Sequence, residues 1–299
     1  MENWIFFILA AQTIWAFTSV LDKFVISKGY IKNPLVYIVL NGLMNILLLF
    51  LLPFVDFTPL KFADFLIALF SSASITIAVI LYYKAVQYEE ISRITILVQS
   101  IPLFVLVLSF ILLDESLTKK SLIGFLFLMA AGLLVSYKKT GKKFKLSKAF
   151  YLMLVSDIFV AFAYVSAKHI FNVTSFWSAA MWLRLISFVA VLTLLIPSVR
   201  NEFAETFKNM KNKIKGLMGF KMIIDFTSFI ISDFAILLGP VALVSAMSAS
   251  IAPLLVFIAA LFTSIYLPKI VKEEIDRKTI LTKLLAIALI ITGIVFVNL

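Results

Sequence analysis

Between Tyr137 and Lys148 the chain carries six lysines in eleven residues, Lys138, Lys139, Lys142, Lys143, Lys145 and Lys148, with no acid among them. Such a run cannot enter hydrocarbon, because each charge at the centre of a bilayer costs about 2.5–3.5 kcal/mol even on insertion scales. On both sides the sequence returns at once to long apolar runs. The seam divides the chain into a first half, 1–137, a basic connecting loop, 138–147, and a second half, 148–299.

Composition agrees with that division. Hydrophobic residues make up 63% and charged residues 14%, with a mean hydropathy of +1.09. A soluble domain carries about 25% charged residues. An integral membrane protein is the expectation. The net charge of +11 would suit a nucleic acid, but the lysines sit between apolar runs of spanning length, where the positive-inside bias puts them, so no nucleic-acid partner is expected. Without cysteine there is neither a disulfide nor a thiolate metal or redox site. The first apolar run begins at Trp4 with no basic segment before it and no small-residue cleavage site, so it is expected to be a retained helix.

About 20 apolar residues span a bilayer. That length predicts an all-α protein of ten transmembrane helices, at about 4–26, 34–53, 63–87, 92–113, 121–137, 148–170, 176–197, 216–238, 241–266 and 279–298. Charge or helix-breaking chemistry separates them: Asn33-Pro34, Pro53, Glu89-Glu90, Asp114-Glu115, Thr174-Ser175 and Gly239-Pro240. Landmarks then recur. Ala16 to Lys23 resembles Ala161 to Lys168, and Leu51-Leu52-Pro53 closes the second run as Leu195-Ile196-Pro197 closes the seventh. Pro102 and Pro253 take matching places in the fourth and ninth runs, as Gly132 and Gly293 do in the fifth and tenth. Five helices per half is an odd number, so the second copy is predicted to cross the membrane upside down, as in inverted-repeat transporters.

These landmarks resemble the drug/metabolite transporter superfamily, and within it the EamA-like ten-helix exporters. A lysine ends the first and sixth runs, Ala85 is followed by Pro102, and an acidic segment, Asp114-Glu115-Ser116-Leu117-Thr118, follows the fourth. Gly124 and Gly132 mark the fifth. The likeness runs over essentially the whole chain. It departs before the tenth run, where Glu273, Glu274 or Asp276 stands in for a glycine–glutamate signature. The resemblance implies alternating access of a central cavity lined by the first to fourth and sixth to ninth helices, with the fifth and tenth bracing the far side.

Loop charges give an orientation. The side shared by the termini holds Lys61, Lys119 and Lys120, against about twenty cations opposite. The positive-inside rule then places both termini outside a plasma or inner cell membrane, the reverse of the usual arrangement in the resembling exporters.

Ionisable groups deep in a span are functional candidates. From the side of the 6/7 and 8/9 loops, Asp157 and Asp225 lie about 15 and 14 residues deep, Arg184 about 9 and Asp233 about 6. The reach of arginine predicts an Asp157–Arg184–Asp225 network, serving either substrate or the locking of helices. Gln12, Trp15, Asn41, Tyr82, Gln99, Tyr164 and Ser248 complete the expected substrate-binding set, with Asn45 and Lys84 nearby. Gln12, Asn41, Asn45 and Gln99 suit either hydrogen bonds to a polar solute or interhelical bonds of about 0.6 kcal/mol each. Lys23 and Lys168 are expected at two opposed gates, each pairing with an acid or a carbonyl, with Pro102 and Pro253 near the pivot.

No phosphate-binding glycine loop or His-Glu-x-x-His motif occurs, and His169 is the one histidine, so neither catalysis nor a metal or other cofactor is expected. The sequence points to a secondary transporter of a small polar metabolite such as an amino acid. An anionic sugar phosphate or nucleotide sugar is the alternative, and an intramembrane lipid-modifying enzyme with Asp157 or Asp225 as base is a distant one. The bilayer and a small-molecule substrate are the partners, and proton or ion coupling and a monomeric or homodimeric state are all compatible with it.

Overall fold

In the computed structural model, placement is described for residues 3–27, 30, 36, 39–40, 42–43, 45, 52–88, 91–136, 148–266 and 277–298. Most of the predicted second helix, the basic loop and the acids before the last helix lie outside that set. The long helices are α1 (Asn3–Ser27), α2 (Phe62–Tyr88), α3 (Ile91–Val98), α4 (Ile101–Leu113), α5 (Lys119–Ser136), α6 (Lys148–Val173) and α7 (Phe176–Ser187). They continue with α8 (Pro197–Asn209), α9 (Asn212–Leu238), α10 (Val241–Tyr266) and α11 (Arg277–Asn298). No strand occurs among the described residues.

Eight described segments are helical, long and apolar enough to cross a membrane: 3–22, 62–88, 94–113, 119–136, 148–173, 176–195, 241–262 and 280–298. With exposed large apolar side chains such as Phe6, Phe17, Phe110, Leu126 and Phe262 around them, they make this a multi-pass membrane protein. The helix α9 has the length but carries Lys213, Lys215, Lys221, Asp225 and Asp233, which keeps it out of that set.

Three local departures from the predicted pattern have physical causes. The fourth run is two helices, because Pro102 lacks a donor and starts α4, leaving Gln99 and Ser100 in a turn after α3. Pro253, its counterpart, sits inside the unbroken α10. The seventh run is α-helical only to Ser187 and finishes as a 3₁₀ segment over Phe188–Leu195. After it, Pro197 opens α8, a polar helix within what the sequence presents as a charged loop.

The packing pairs helices from different halves. α1 runs along α9 and α10, α6 runs along α2 and α4, and α5 runs along α11. The last pair is close because Gly124 and Gly293 face each other. A β-carbon on Gly124 would stand 2.7 Å from the carbonyl oxygen of Gly293. The largest apolar core joins Trp4, Ile5 and Ile8 of α1 to Phe125 and Leu128 of α5, Val165 of α6 and Val241 to Met247 of α10.

Candidate functional site

A polar thread crosses the interior through five helices. Gln12 on α1 donates from Nε2 to Ser248 Oγ on α10 at 2.5 Å. The Tyr164 hydroxyl on α6 lies near the Ser248 hydroxyl and near the Asp233 carboxylate of α9. Arg184 on α7 donates from Nη2 to Asp233 Oδ2 at 2.5 Å, and its guanidinium lies over the Phe229 ring, 5.1 Å from the centroid. Both charged side chains are mostly withdrawn from solvent, at 17% and 8% exposure. Ser228 Oγ donates to the Ala11 carbonyl at 2.8 Å and fastens α9 to α1 beside the thread.

The thread differs from the predicted network. Arg184 pairs with Asp233, whereas Asp157 accepts a hydrogen bond from Ser100 Oγ at 2.7 Å and Asp225 binds Lys221. The cause is the tilt of helical side chains toward the N-terminus of their helix. Arg184 is thereby aimed back toward the start of α7, at the shallow Asp233 and away from the deeper Asp157. Asp225 is likewise aimed at Lys221, one turn earlier on the same face of α9.

Toward the membrane side where α7 and α10 begin, aromatic rings cover the thread. Phe234 stacks on Phe176 at 3.7 Å and on Phe7 at 5.4 Å, and Phe171 stacks on Phe176 at 5.6 Å. Beyond them the chain is tied shut by caps. Lys168 Nζ donates to the carbonyls of Ile236, Leu237 and Gly239 at 2.9, 2.8 and 3.0 Å. These are the unpaired carbonyls at the negative end of α9, where an ammonium is favoured. The Val241 N–H at the start of α10 donates to Glu115 Oε2 at 2.9 Å, and the left-handed conformation of Asp114, φ 52°, turns the chain so that Glu115 follows it. Burial pushes the Glu115 carboxyl above the ordinary glutamate range, an effect opposed by the Val241 N–H and by nearby Lys168. Trp4 fills the space a side chain at Gly239 would need. Further out, Trp182 Nε1 donates to the Thr58 carbonyl at 2.9 Å, and Ser178 Oγ donates to the same carbonyl at 3.1 Å.

A second polar group sits at the break between α3 and α4. Gln99 Nε2 donates to Ser136 Oγ at 2.9 Å, Gly132 admits the Gln99 amide against α5, and Ser100 holds Asp157. Broken helices in membranes are tolerated where buried protein groups take up the freed backbone. A third group joins Lys221 to Asp22 Oδ1 at 2.9 Å and to Asp225.

Of the predicted binding set, Gln12, Tyr164, Arg184 and Ser248 come together, while Gln99 and Asp157 form the second group and Asp225 the third. Tyr82 packs against Ala85, Ile94 and Met153 in a separate apolar cluster, and Trp15 is 39% exposed on α1. Asn41 lies outside the described residues, as does the side chain of Lys23. Sequence reasoning missed Lys221, although its place one turn before Asp225 in a predicted span was a readable signal. The tasks of Asp233 and Glu115 also emerge only from the fold. A separate pocket of about 300 Å³ between α8 and α9 is apolar, lined by Leu40, Phe203, Met218 and Met222, with Lys215 its charged lining residue.

Residues 2–137 match the model of the EamA-like transporter family. The first half is an EamA-like unit. Over those residues the chain is similar to the members of that transporter family. A solved crystal structure shares the fold over both halves of the chain. It aligns with a TM-score of 0.70 at 14% identity, covering 99% of this chain and 95% of that one. No curated protein matches the sequence. The acidic segment that the resemblance singled out, Asp114-Glu115, is the one that caps α10.

Proposed function

We propose that this protein is a secondary transporter that moves a small polar metabolite, in the first instance an amino acid, by alternating access. The observation that carries the reading is the buried Arg184–Asp233 pair, joined through Tyr164 and Ser248 to Gln12. A buried ion pair is a poor stabiliser, since desolvation offsets much of its attraction. A guanidinium and a carboxylate side by side are the complement of a zwitterion, whose carboxylate and ammonium replace each partner in turn. The neutral donors and acceptors of the thread suit the remaining polar groups of such a solute. A sugar phosphate is less well served, because Lys168 is taken up by three carbonyls and Arg184 is balanced by Asp233.

Alternating access is supported by the exchange of partners between the halves, 1–137 and 148–299. α1 with α9 and α10 has its counterpart in α6 with α2 and α4. Gln12 precedes Lys23 by 11 residues, as Asp157 precedes Lys168. Gln12 and Asp157 then hold matching places, and each is bonded to a serine on a helix of the other half. The Lys168 and Glu115 caps form the closed gate on the side of the termini, which the loop cations assign to the outside. Pro102, at the break before α4, is the hinge, and Pro253 is its counterpart in α10.

The test is thermal unfolding of the purified protein against a panel of amino acids, sugar phosphates and other small metabolites. A ligand that binds only the folded state raises the midpoint by mass action. The reading requires a stabilising zwitterion whose effect disappears in Arg184→Met. Stabilisation by sugar phosphates alone would replace it with the anion reading.

A further inference from the structure

The cavity of about 300 Å³ between α8 and α9 takes no part in the thread. We propose that it binds an anionic phospholipid of the surrounding bilayer, with one acyl chain in the cavity and the phosphate on Lys215. The sequence of α8 suits it to the membrane surface. It joins the spanning segment that ends at residue 195 to the start of α9. It is also amphipathic: Val199 is buried and Phe203 packs against the core around Met210, while Arg200, Glu205 and Lys208 are exposed.

The lining suits a hydrocarbon chain. Phe203, Phe207, Met210, Met218 and Met222 face the cavity, and flexible thioethers adapt to an irregular apolar ligand. Gly219 leaves room on the α9 wall, since a β-carbon there would meet nothing within 4 Å. A polar metabolite needs several placed polar groups, whereas this lining offers Lys215 amid apolar side chains.

Lys215 marks the place of the headgroup. Its Nζ lies over the Phe207 ring, 5.0 Å from the centroid, and Phe207 is 44% exposed, so the ammonium stands where the cavity meets the outside. Lys208 and Lys211 directly follow the lining residues Phe207 and Met210, and both are exposed, as is Lys213. Glu202 and Glu205 lie earlier on α8. Among the described residues no acid pairs with any of these four lysines. The sequence from Lys23 to Val55 contains no acid at all, so the second predicted run, which supplies Leu40 and Leu43 to the lining, adds no carboxylate. Lysines gathered at one end of an apolar cavity are the complement of a lipid phosphate with its chain. The site does not depend on which solute the thread carries.

The experiment is thermal unfolding of the full chain in neutral detergent, with dioleoyl phosphatidylglycerol, dioleoyl phosphatidylcholine, oleate or inorganic phosphate added. A lipid that binds the folded state raises the midpoint by mass action. Phosphatidylglycerol should raise it saturably, and the other three should not. Gly219→Leu, which fills the cavity from α9, should abolish the rise. Gly216→Leu, at an exposed position with open space around it, should keep it. Lys215→Gln should need about fivefold more lipid for half the effect. It leaves the apolar lining intact, so it decides the matter if Gly219→Leu does not fold. No rise with phosphatidylglycerol overturns the proposal. An equal rise with phosphatidylcholine or oleate does so too, because the phosphate is then not read, and so does an equal rise with phosphate alone. A rise undiminished in Gly219→Leu or in Lys215→Gln places the lipid elsewhere and also overturns it.

Discussion

Arg184 closes on Asp233 at 2.5 Å, across the interface between α7 and α9, and both lie within an apolar surround that includes the Phe229 ring. Removing one partner of such a pair strands the other charge, at a cost of about 3–5 kcal/mol. Arg184→Met alone should therefore lower the thermal midpoint of the purified protein strongly. Asp157→Asn should lower it less, because its partner is a serine hydroxyl. Equal losses would place the pairing wrongly.

The cap at the other end of α9 should behave as a set of helix-terminal bonds. Lys168→Met removes the donor to three carbonyls and should cost about 1–3 kcal/mol. Lys168→Arg should recover part of that. If the cap is also a gate, cysteines placed across the Trp4–Gly239 contact should crosslink in this closed form and less so when a solute opens it.

Gly124 and Gly293 allow α5 and α11 to touch along their backbones. Gly124→Ala puts a methyl 2.7 Å from a carbonyl oxygen that no side-chain motion can clear. Overpacking of this kind costs about 1–3 kcal/mol. Gly216→Ala, with open space around it, should leave the midpoint within about 0.5 kcal/mol of the wild type. Thermal unfolding of the two variants side by side checks the difference.

Glu115 supplies a pH dependence with a definite sign. Burial raises its folded carboxyl above the ordinary glutamate value, so the folded chain holds this proton to higher pH than the unfolded one. The stability it contributes is complete below the ordinary value and is lost as pH rises through the raised one. Glu115→Gln keeps an acceptor for the Val241 N–H and cannot titrate. Its midpoint-against-pH curve should lack that decline, and a curve parallel to the wild type would refute the assignment.

Eight of the ten predicted spans were legible because hydrocarbon thickness dictates the length of an apolar run. Partners were not, because depth along a helix says nothing of rotation about its axis. Arg184 illustrates this. Its depth allowed Asp157 or Asp233, and the backward tilt of the side chain chose the shallower. Lys221 went unread beside the basic run before it, although its spacing from Asp225 is that of an intrahelical pair. The two prolines looked equivalent in sequence. Pro102 opens a new helix behind Gln99 and Ser100, whose side chains bond to Ser136 and Asp157, while Pro253 is absorbed within α10.

The most direct test of the transport reading is uptake of a solute found by thermal shift into proteoliposomes carrying Arg184→Met/Asp233→Leu. Replacing both charges removes the stranded partner, so the double variant should unfold near the wild-type midpoint. The account predicts that it folds and does not move the solute. Uptake at the wild-type rate would contradict it, leaving the pair a pin between α7 and α9 and placing the solute elsewhere.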